Sequence, residues 1–178
     1  MNRALLVIDV QESFRTRPAD WSEMQNPDIA KQVTRLVDSS RECGDLVVWV
    51  MHAEPGSDTV FDPDQGYVRL FDEIKPRADE PCVVKTSINA FTTKNLQQQL
   101  MQHGVREVVI CGIRTEQCCE TTARVASDLG FEVTFVADAT TTSGIEGLSA
   151  GEIIERTARV LGAREFATIA TTDDVVAR

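Results

Sequence analysis

The chain has little positive charge, little histidine and no long apolar run. Of its 178 residues, 18 are lysine or arginine and 28 are aspartate or glutamate, which gives a net charge of −10. Nucleic acids and anionic membrane surfaces bind basic patches, so this balance argues against both as partners. The first apolar run, residues 4–8, stops at Asp9 and is too short for a signal-peptide core or a membrane span. We therefore expect a cytoplasmic protein.

The cysteines lack the spacing of a disulfide framework or a redox motif. Five cysteines occur, an odd number without regular intervals, and a chain of this length can bury a sufficient core without disulfides. Reduced thiols are expected. The thioredoxin-type spacing of two intervening residues is absent, and no Gly-x-Gly-x-x-Gly follows an apolar run, which argues against a dinucleotide site.

Apolar, β-branched runs alternate with amphipathic segments along the chain. The runs cover residues 4–10, 46–52, 82–85, 107–113 and 131–137, with a weaker sixth at 166–170. Their near-continuous apolarity is typical of strands buried on both faces of a parallel sheet. Helical spacing between them ends at glycines such as Gly44 and Gly104, and Ser149 with Glu152 resembles a capping box. This pattern predicts a single α/β domain over residues 1–178, a three-layer α/β/α sandwich with a mostly parallel sheet.

A long segment interrupts this alternation. Residues 53–80 are rich in proline, glycine and acidic residues, so most of the segment should be loop. Loops of this length in compact domains are usually functional. Its aromatic residues Phe61, Tyr67 and Phe71, together with Trp21, are candidate walls of a substrate pocket, although aromatic residues also fill cores.

Three reactive side chains are expected at the carboxyl ends of strands, where parallel sheets bind ligands. Asp9 lies near the end of the first run, Lys85 ends the third, and Cys118 follows the fourth and opens a helix. A helix N-terminus favours thiolate over thiol, which makes Cys118 a candidate nucleophile; simple packing of a buried thiol is the alternative. Asp9 and Lys85 are either a structural ion pair or the base and the cation that serve that nucleophile.

Three segments resemble the isochorismatase-like cysteine hydrolases, a family that includes nicotinamidases and N-carbamoylsarcosine amidohydrolases. They are LLVIDVQESF at 5–14, VKTSINAF at 84–91 and GIRTEQCC at 112–119. The resemblance implies a six-stranded sheet in the order 3-2-1-4-5-6 and a homodimer or homotetramer. It also implies a catalytic triad of Asp9, Lys85 and Cys118, a cis peptide bond between Ile113 and Arg114, and an oxyanion hole formed by the backbone N–H groups of Arg114 and Cys118.

The resemblance further implies hydrolysis of a small amide, carbamoyl or ureido C–N bond through a thioester, without a cofactor. Nicotinamidases bind a metal through an aspartate and two histidines, but here Val50 takes the place of the aspartate and only His52 matches a histidine. No metal site is therefore expected, and nicotinamide is a less favoured substrate. His52 is either a hydrogen-bonded residue at a strand end or a substrate contact. The candidate substrate-binding residues are Phe14, Trp21, His52, Phe61, Tyr67 and Arg114.

Arg114 and Cys119 depart from the family pattern. Arg114 stands where a small residue is common, and it either pairs with a substrate carboxylate or contributes only its backbone amide. Cys119 stands where valine is usual, and its expected role is packing, with a strained vicinal disulfide to Cys118 as the alternative. A non-catalytic binding domain or a redox thiol protein is the alternative function.

Overall fold

A six-stranded parallel sheet forms the centre of the molecule. The computed structural model describes residues 2–177, in which the strands pair in the order β3-β2-β1-β4-β5-β6 and every pairing between them is parallel. The strands are β1 (Arg3–Ile8), β2 (Leu46–His52), β3 (Cys82–Lys85), β4 (Glu107–Ile113), β5 (Glu132–Thr141) and β6 (Thr168–Ala170). The predicted fold class and strand order are confirmed.

Helices cover both faces of this sheet and make the two outer layers. They are α1 (Glu12–Arg15), α2 (Pro18–Ser22), α3 (Ile29–Glu42), α4 (Leu96–Gln102), α5 (Glu120–Asp128), α6 (Ala150–Ala163) and α7 (Thr172–Val176). The capping box predicted at Ser149 and Glu152 is present and begins α6. Among the described residues, no helix is long and apolar enough to cross a membrane.

The central strand β1 explains the continuous apolar pattern of its sequence. All six of its residues are buried. Successive side chains of a strand point to opposite faces, so Leu6 and Ile8 enter one core layer while Leu5 and Val7 enter the other. Apolar residues are therefore needed at consecutive positions rather than at alternate ones.

The carboxyl ends of two strands differ from the predicted ones. Strand β1 ends at Ile8 because Asp9 takes a left-handed backbone conformation with φ +52°. Strand β5 continues to Thr141, well beyond the predicted residue 137, because its pairing register with β4 shifts between Ile110 and Gly112. A bulge of this kind lets a strand extend past the point where its apolar pattern stops.

The long segment at residues 53–80 is irregular, as predicted, apart from one 3-10 turn at Pro63–Gln65. It runs back along the residues that follow β1. The N–H of Ser13 donates to the carbonyl of Tyr67, and the N–H of Phe71 donates to the carbonyl of Val10. These contacts bring the segment to the carboxyl edge of the sheet.

Candidate active site

Asp9 and Lys85 form a buried ion pair at the carboxyl edge of the sheet. Lys85 Nζ lies 2.8 Å from Asp9 Oδ2, and both side chains are fully buried. The N–H of Asp9 donates to the carbonyl of Val50 at 2.8 Å, which holds the turn that follows β1. Burial raises the pKa of Asp9, against the opposing effect of the Lys85 charge.

Gly112 allows the two central strands to approach each other at this edge. Its φ is +132°, and a Cβ atom built on it would lie only 1.9 Å from the carbonyl oxygen of Ile8. Ile8 directly precedes Asp9, so a larger residue at position 112 would displace the backbone that carries the carboxylate. The glycine is thus a requirement of backbone packing.

A π-helical turn carries Cys118 to the ion pair. The turn covers Thr115–Cys119 and continues directly into α5. The peptide bond between Ile113 and Arg114, just before this turn, is cis, as the resemblance implies. Cys118 Sγ lies 3.4 Å from Lys85 Nζ, and the residue is only 7% exposed. Lys85 is therefore in contact with both the carboxylate and the sulfur.

The surroundings of Cys118 favour the thiol over the thiolate, opposite to the effect expected of a helix N-terminus. Burial and the negative charge of Asp9 raise the pKa of the thiol to about 12, and the nearby Lys85 charge does not compensate. A thiol that keeps its proton needs a base at the moment of attack. Asp9 Oδ1 is buried and, within residues 2–177, has no hydrogen-bond partner of good geometry, so this oxygen can accept a proton.

His52 is the third acceptor placed near Lys85. Its Nδ1 lies 3.5 Å from Lys85 Nζ, and its Nε2 lies 3.3 Å from Glu54 Oε1. The side chain of Gln11 fixes the backbone of His52, because its Oε1 accepts from the His52 N–H at 2.7 Å and its Nε2 donates to the His52 carbonyl at 3.0 Å. A carboxylate at Nε2 favours the tautomer in which Nδ1 is an acceptor toward Lys85.

A cavity of about 310 Å³ opens onto these groups, a size at the small end of ligand pockets. Asp9 and Cys118 line it, together with four of the predicted substrate-binding residues: Phe14, His52, Phe61 and Arg114. It is also lined by residues that sequence reasoning missed: Arg17, Glu54, Ile88 and Gln117. They stand in loops and turns without helical or strand periodicity. The only available signal was that Ile88 and Gln117 lie inside two of the segments that resemble the family.

Trp21 and Tyr67 do not line this cavity. Trp21 packs edge-on against Phe71, with ring centroids 5.5 Å apart, and Phe71 itself is fully buried in the core. Tyr67 is 40% exposed, and its carbonyl, rather than its ring, contacts the segment after β1. A larger groove of about 1020 Å³ lies beside β5, β6 and α6, and its lining includes none of Asp9, Lys85 and Cys118.

The described part of the chain contains no group of three or more His, Cys, Asp or Glu residues placed to hold a metal ion. All five cysteines are free thiols, including the neighbouring Cys118 and Cys119.

A family model of the isochorismatase domain matches residues 3–174. The chain therefore belongs to the isochorismatase family of hydrolases. The isochorismatase family protein YrdC of Bacillus subtilis (strain 168) is 28% identical to it over 178 residues, which cover 98% of this chain and 94% of that protein.

Two further relatives carry names that state an activity. Nicotinamidase 3 of Arabidopsis thaliana is 33% identical over 78% of this chain and 73% of its own length. A streptothricin hydrolase of Streptomyces noursei is 34% identical over 80% of this chain and 56% of its own length.

Solved structures share the fold at low sequence identity. An isochorismatase-family protein from Chromobacterium violaceum ATCC 12472 has a TM-score of 0.91 at 24% identity and covers 99% of this chain and 92% of that one. A cysteine hydrolase from Pseudomonas syringae pv. phaseolicola 1448A has a TM-score of 0.89 at 24% identity, with coverages of 99% and 91%. At this identity the likeness is one of fold alone.

Proposed function

We propose that the protein is a cysteine hydrolase that cleaves a C–N bond of a small amide, carbamoyl or ureido compound through a thioester on Cys118. The observation that carries the proposal is the position of Lys85 Nζ, 2.8 Å from Asp9 Oδ2 and 3.4 Å from Cys118 Sγ. A nucleophile and a base therefore line one cavity, and a buried cation contacts both of them. The nicotinamidase and the streptothricin hydrolase among its relatives support hydrolysis.

In the proposed first half-reaction, Asp9 accepts the thiol proton while Cys118 Sγ attacks the carbonyl carbon. The backbone N–H groups of Arg114 and Cys118 hold the oxyanion, a contribution of about 3 kcal/mol for each donor. Asp9 then gives the proton to the leaving nitrogen, the C–N bond breaks, and a thioester remains. The raised pKa of Asp9 suits this transfer, because a carboxyl that is easily protonated is also a competent acid.

The second half-reaction uses water. A water molecule attacks the thioester carbonyl and gives a proton to Asp9, the bond between carbon and sulfur breaks, and Cys118 recovers its proton from Asp9. The products are an acid and ammonia or an amine. Lys85 keeps its charge throughout and holds the carboxylate and the sulfur in place.

The test is ammonia or amine release from a panel of small amides, carbamoyl compounds and ureido compounds, without added metal. Cys118→Ala should reduce turnover by at least about 10⁴-fold and leave the fold intact, because the nucleophile is lost. Cys119→Ala is the matched control and should keep activity within a few-fold. Turnover that survives in Cys118→Ala would contradict the proposal, and an equal loss in both variants would favour dithiol chemistry.

A further inference from the structure

Arg114 differs from the other buried and half-buried arginines of the described chain. Arg3, Arg15, Arg41 and Arg124 each lie within 2.7 Å of a carboxylate oxygen. Arg114 is half-buried like most of them, yet no carboxylate within residues 2–177 pairs with it. A guanidinium in this state has lost part of its hydration without gaining a counter-charge. Its counter-charge must therefore come from a ligand or from solvent.

The guanidinium of Arg114 is held in place without using most of its donors. Its Nη1 donates to the hydroxyl of Ser143, and its Cζ lies 5.7 Å from the centroid of the Phe14 ring. Ser143 is itself almost fully buried, so this contact fixes the orientation of the planar group. The remaining N–H groups have no acceptor among the described residues. A planar fork with free parallel donors is the geometry that binds a carboxylate.

Both carboxylates that line the same cavity already have hydrogen-bond partners, and one of them is paired with a cation. Asp9 pairs with Lys85. Glu54 contacts His52 through Oε1, and its Oε2 accepts from Thr59 Oγ1 at 3.1 Å. At the rim, the Arg17 side chain is 47% exposed and only loosely paired, 3.7 Å from Asp20. Apart from Asp9, whose charge Lys85 balances, the cavity lining has two cations, Arg17 and Arg114, and one carboxylate, Glu54, so its net charge is positive.

We propose that the substrate carries a carboxylate, which the guanidinium of Arg114 binds while the reacting carbonyl faces Cys118. The placement of the reacting carbonyl at Cys118 rests on the proposed function. The binding of an anion by Arg114 does not depend on it. Phe14 and Phe61 meet edge to face with centroids 5.2 Å apart and line the same cavity, so they offer an apolar surface to the part of the substrate between its two ends. Arg17, 5.7 Å from the Phe61 centroid, is a weaker second cation. The small cavity favours a short connection between the carboxylate and the carbonyl.

The test measures binding rather than turnover, by ¹⁵N NMR titration of the wild-type protein with succinate and with 1,4-butanediol, a neutral compound of the same chain length that cannot be hydrolysed. Succinate should give saturable shifts at the amides of Arg114 and Cys118, with an affinity at least about tenfold higher than that of butanediol. Arg114→Gln keeps the backbone amide and should weaken succinate binding about 10- to 100-fold while leaving butanediol binding unchanged. Arg114→Lys should fall between, and Arg17→Gln should cost only about two- to threefold.

Arg106→Gln is the matched control. No carboxylate within residues 2–177 forms a salt bridge with Arg106 either, but Arg106 is exposed and precedes β4, whereas Arg114 follows that strand. This variant should bind succinate like the wild type. Equal affinities for the two probes, no saturable shift at Arg114 and Cys118, or unchanged succinate binding in Arg114→Gln would overturn the proposal. So would inorganic phosphate that binds as tightly as succinate, since that marks a general anion site. Loss of hydrolysis in Cys118→Ala leaves this readout unaffected, so the two proposals fail separately.

Discussion

Asp9 and Glu120 are both buried carboxylates beside cations, and both belong to the surroundings of Cys118, which Glu120 follows by two residues. Glu120 Oε1 accepts two hydrogen bonds from Arg124, and its Oε2 accepts from Arg156 and Thr157. Asp9 Oδ2 accepts from Lys85, while Asp9 Oδ1 is buried without a partner of good geometry in the described chain.

The difference separates a structural ion pair from a reactive one. Buried polar atoms are normally satisfied, because an unmet acceptor costs about 1–3 kcal/mol. Glu120 follows this rule and connects α5 to Arg156 and Thr157 of α6. Asp9 differs, because its Oδ1 has no hydrogen-bond partner of good geometry within residues 2–177, and the Cys118 thiol interacts with this carboxylate. The following predictions test this contrast, from the largest expected effect to the smallest.

Asp9→Asn should lower kcat/KM by about 10³-fold or more, because an amide cannot accept the thiol proton. The same change leaves the Lys85 ammonium buried without a counter-charge, so the free energy of unfolding should also fall, by about 3–5 kcal/mol. Hydrolysis of the best substrate and urea unfolding measure the two effects. A variant within tenfold of wild-type activity would show that Asp9 is only a structural partner of Lys85.

Glu120→Gln should have the reverse profile, a loss of about 2 kcal/mol in the free energy of unfolding with kcat/KM within about threefold of wild type. Arg124 and Arg156 are partly exposed, which reduces the cost relative to the fully buried Asp9–Lys85 pair. Glu155→Gln is the control, since the Glu155–Arg159 pair on α6 is exposed and should contribute less than about 0.5 kcal/mol. A large loss of activity in Glu120→Gln would contradict the assignment of Glu120 as structural and Asp9 as reactive.

The pH dependence of kcat/KM should show an acid limb from Asp9 above the ordinary carboxyl pKa of 3.8, because burial raises the pKa and only the ionised form accepts a proton. The sign for stability is opposite. A carboxyl with a raised pKa in the folded state stabilises it at pH below the unfolded pKa, and this contribution is lost as pH rises through the folded pKa. A pH–rate profile, with unfolding measured at the same pH values, checks both. An acid limb at or below pH 3.8 would assign the base elsewhere.

His52 should give the smallest effect, as a positioning residue that acts through Lys85. His52→Leu removes the acceptor at Nδ1 and should lower kcat about tenfold with little change in KM, in line with the loss of one hydrogen bond to a charged group. His52→Asn can place an amide oxygen near the same position and should recover most of the rate. Equal kinetics in the two variants would mean that the contact with Lys85 does not matter.

Much of the architecture could be predicted from local sequence. The apolar runs at 46–52, 82–85 and 107–113 coincide with β2, β3 and β4. The carboxyl ends of β1 and β5 could not be predicted. The end of β1 depends on the left-handed conformation of Asp9, and the end of β5 depends on a register shift against β4. Both are decided by the neighbours of the strand rather than by its own periodicity.

The candidate site, like the fold, has features that the sequence predicts and features that it does not. Strand order and the motifs bring Asp9, Lys85 and Cys118 to one edge of the sheet, and their atoms do lie within contact distance. The raised pKa of the Cys118 thiol could not be predicted from its position near a helix N-terminus, because its causes are burial and the charge of Asp9, a residue 109 positions earlier. Arg17 and Glu54 were missed because loop residues without periodicity give no local signal.

The sequence by itself determined the order of strands and helices and which reactive residues follow which strand, since periodicity of two or of 3.6 residues is a property of neighbouring positions. Tertiary structure alone decided which charges are satisfied. Three features depend on distances between residues far apart in the chain: the hydrogen bonding of Asp9 Oδ1, the network around Glu120, and the lack of a carboxylate partner for Arg114 within residues 2–177. The energy of a buried charge depends on all of its neighbours at once.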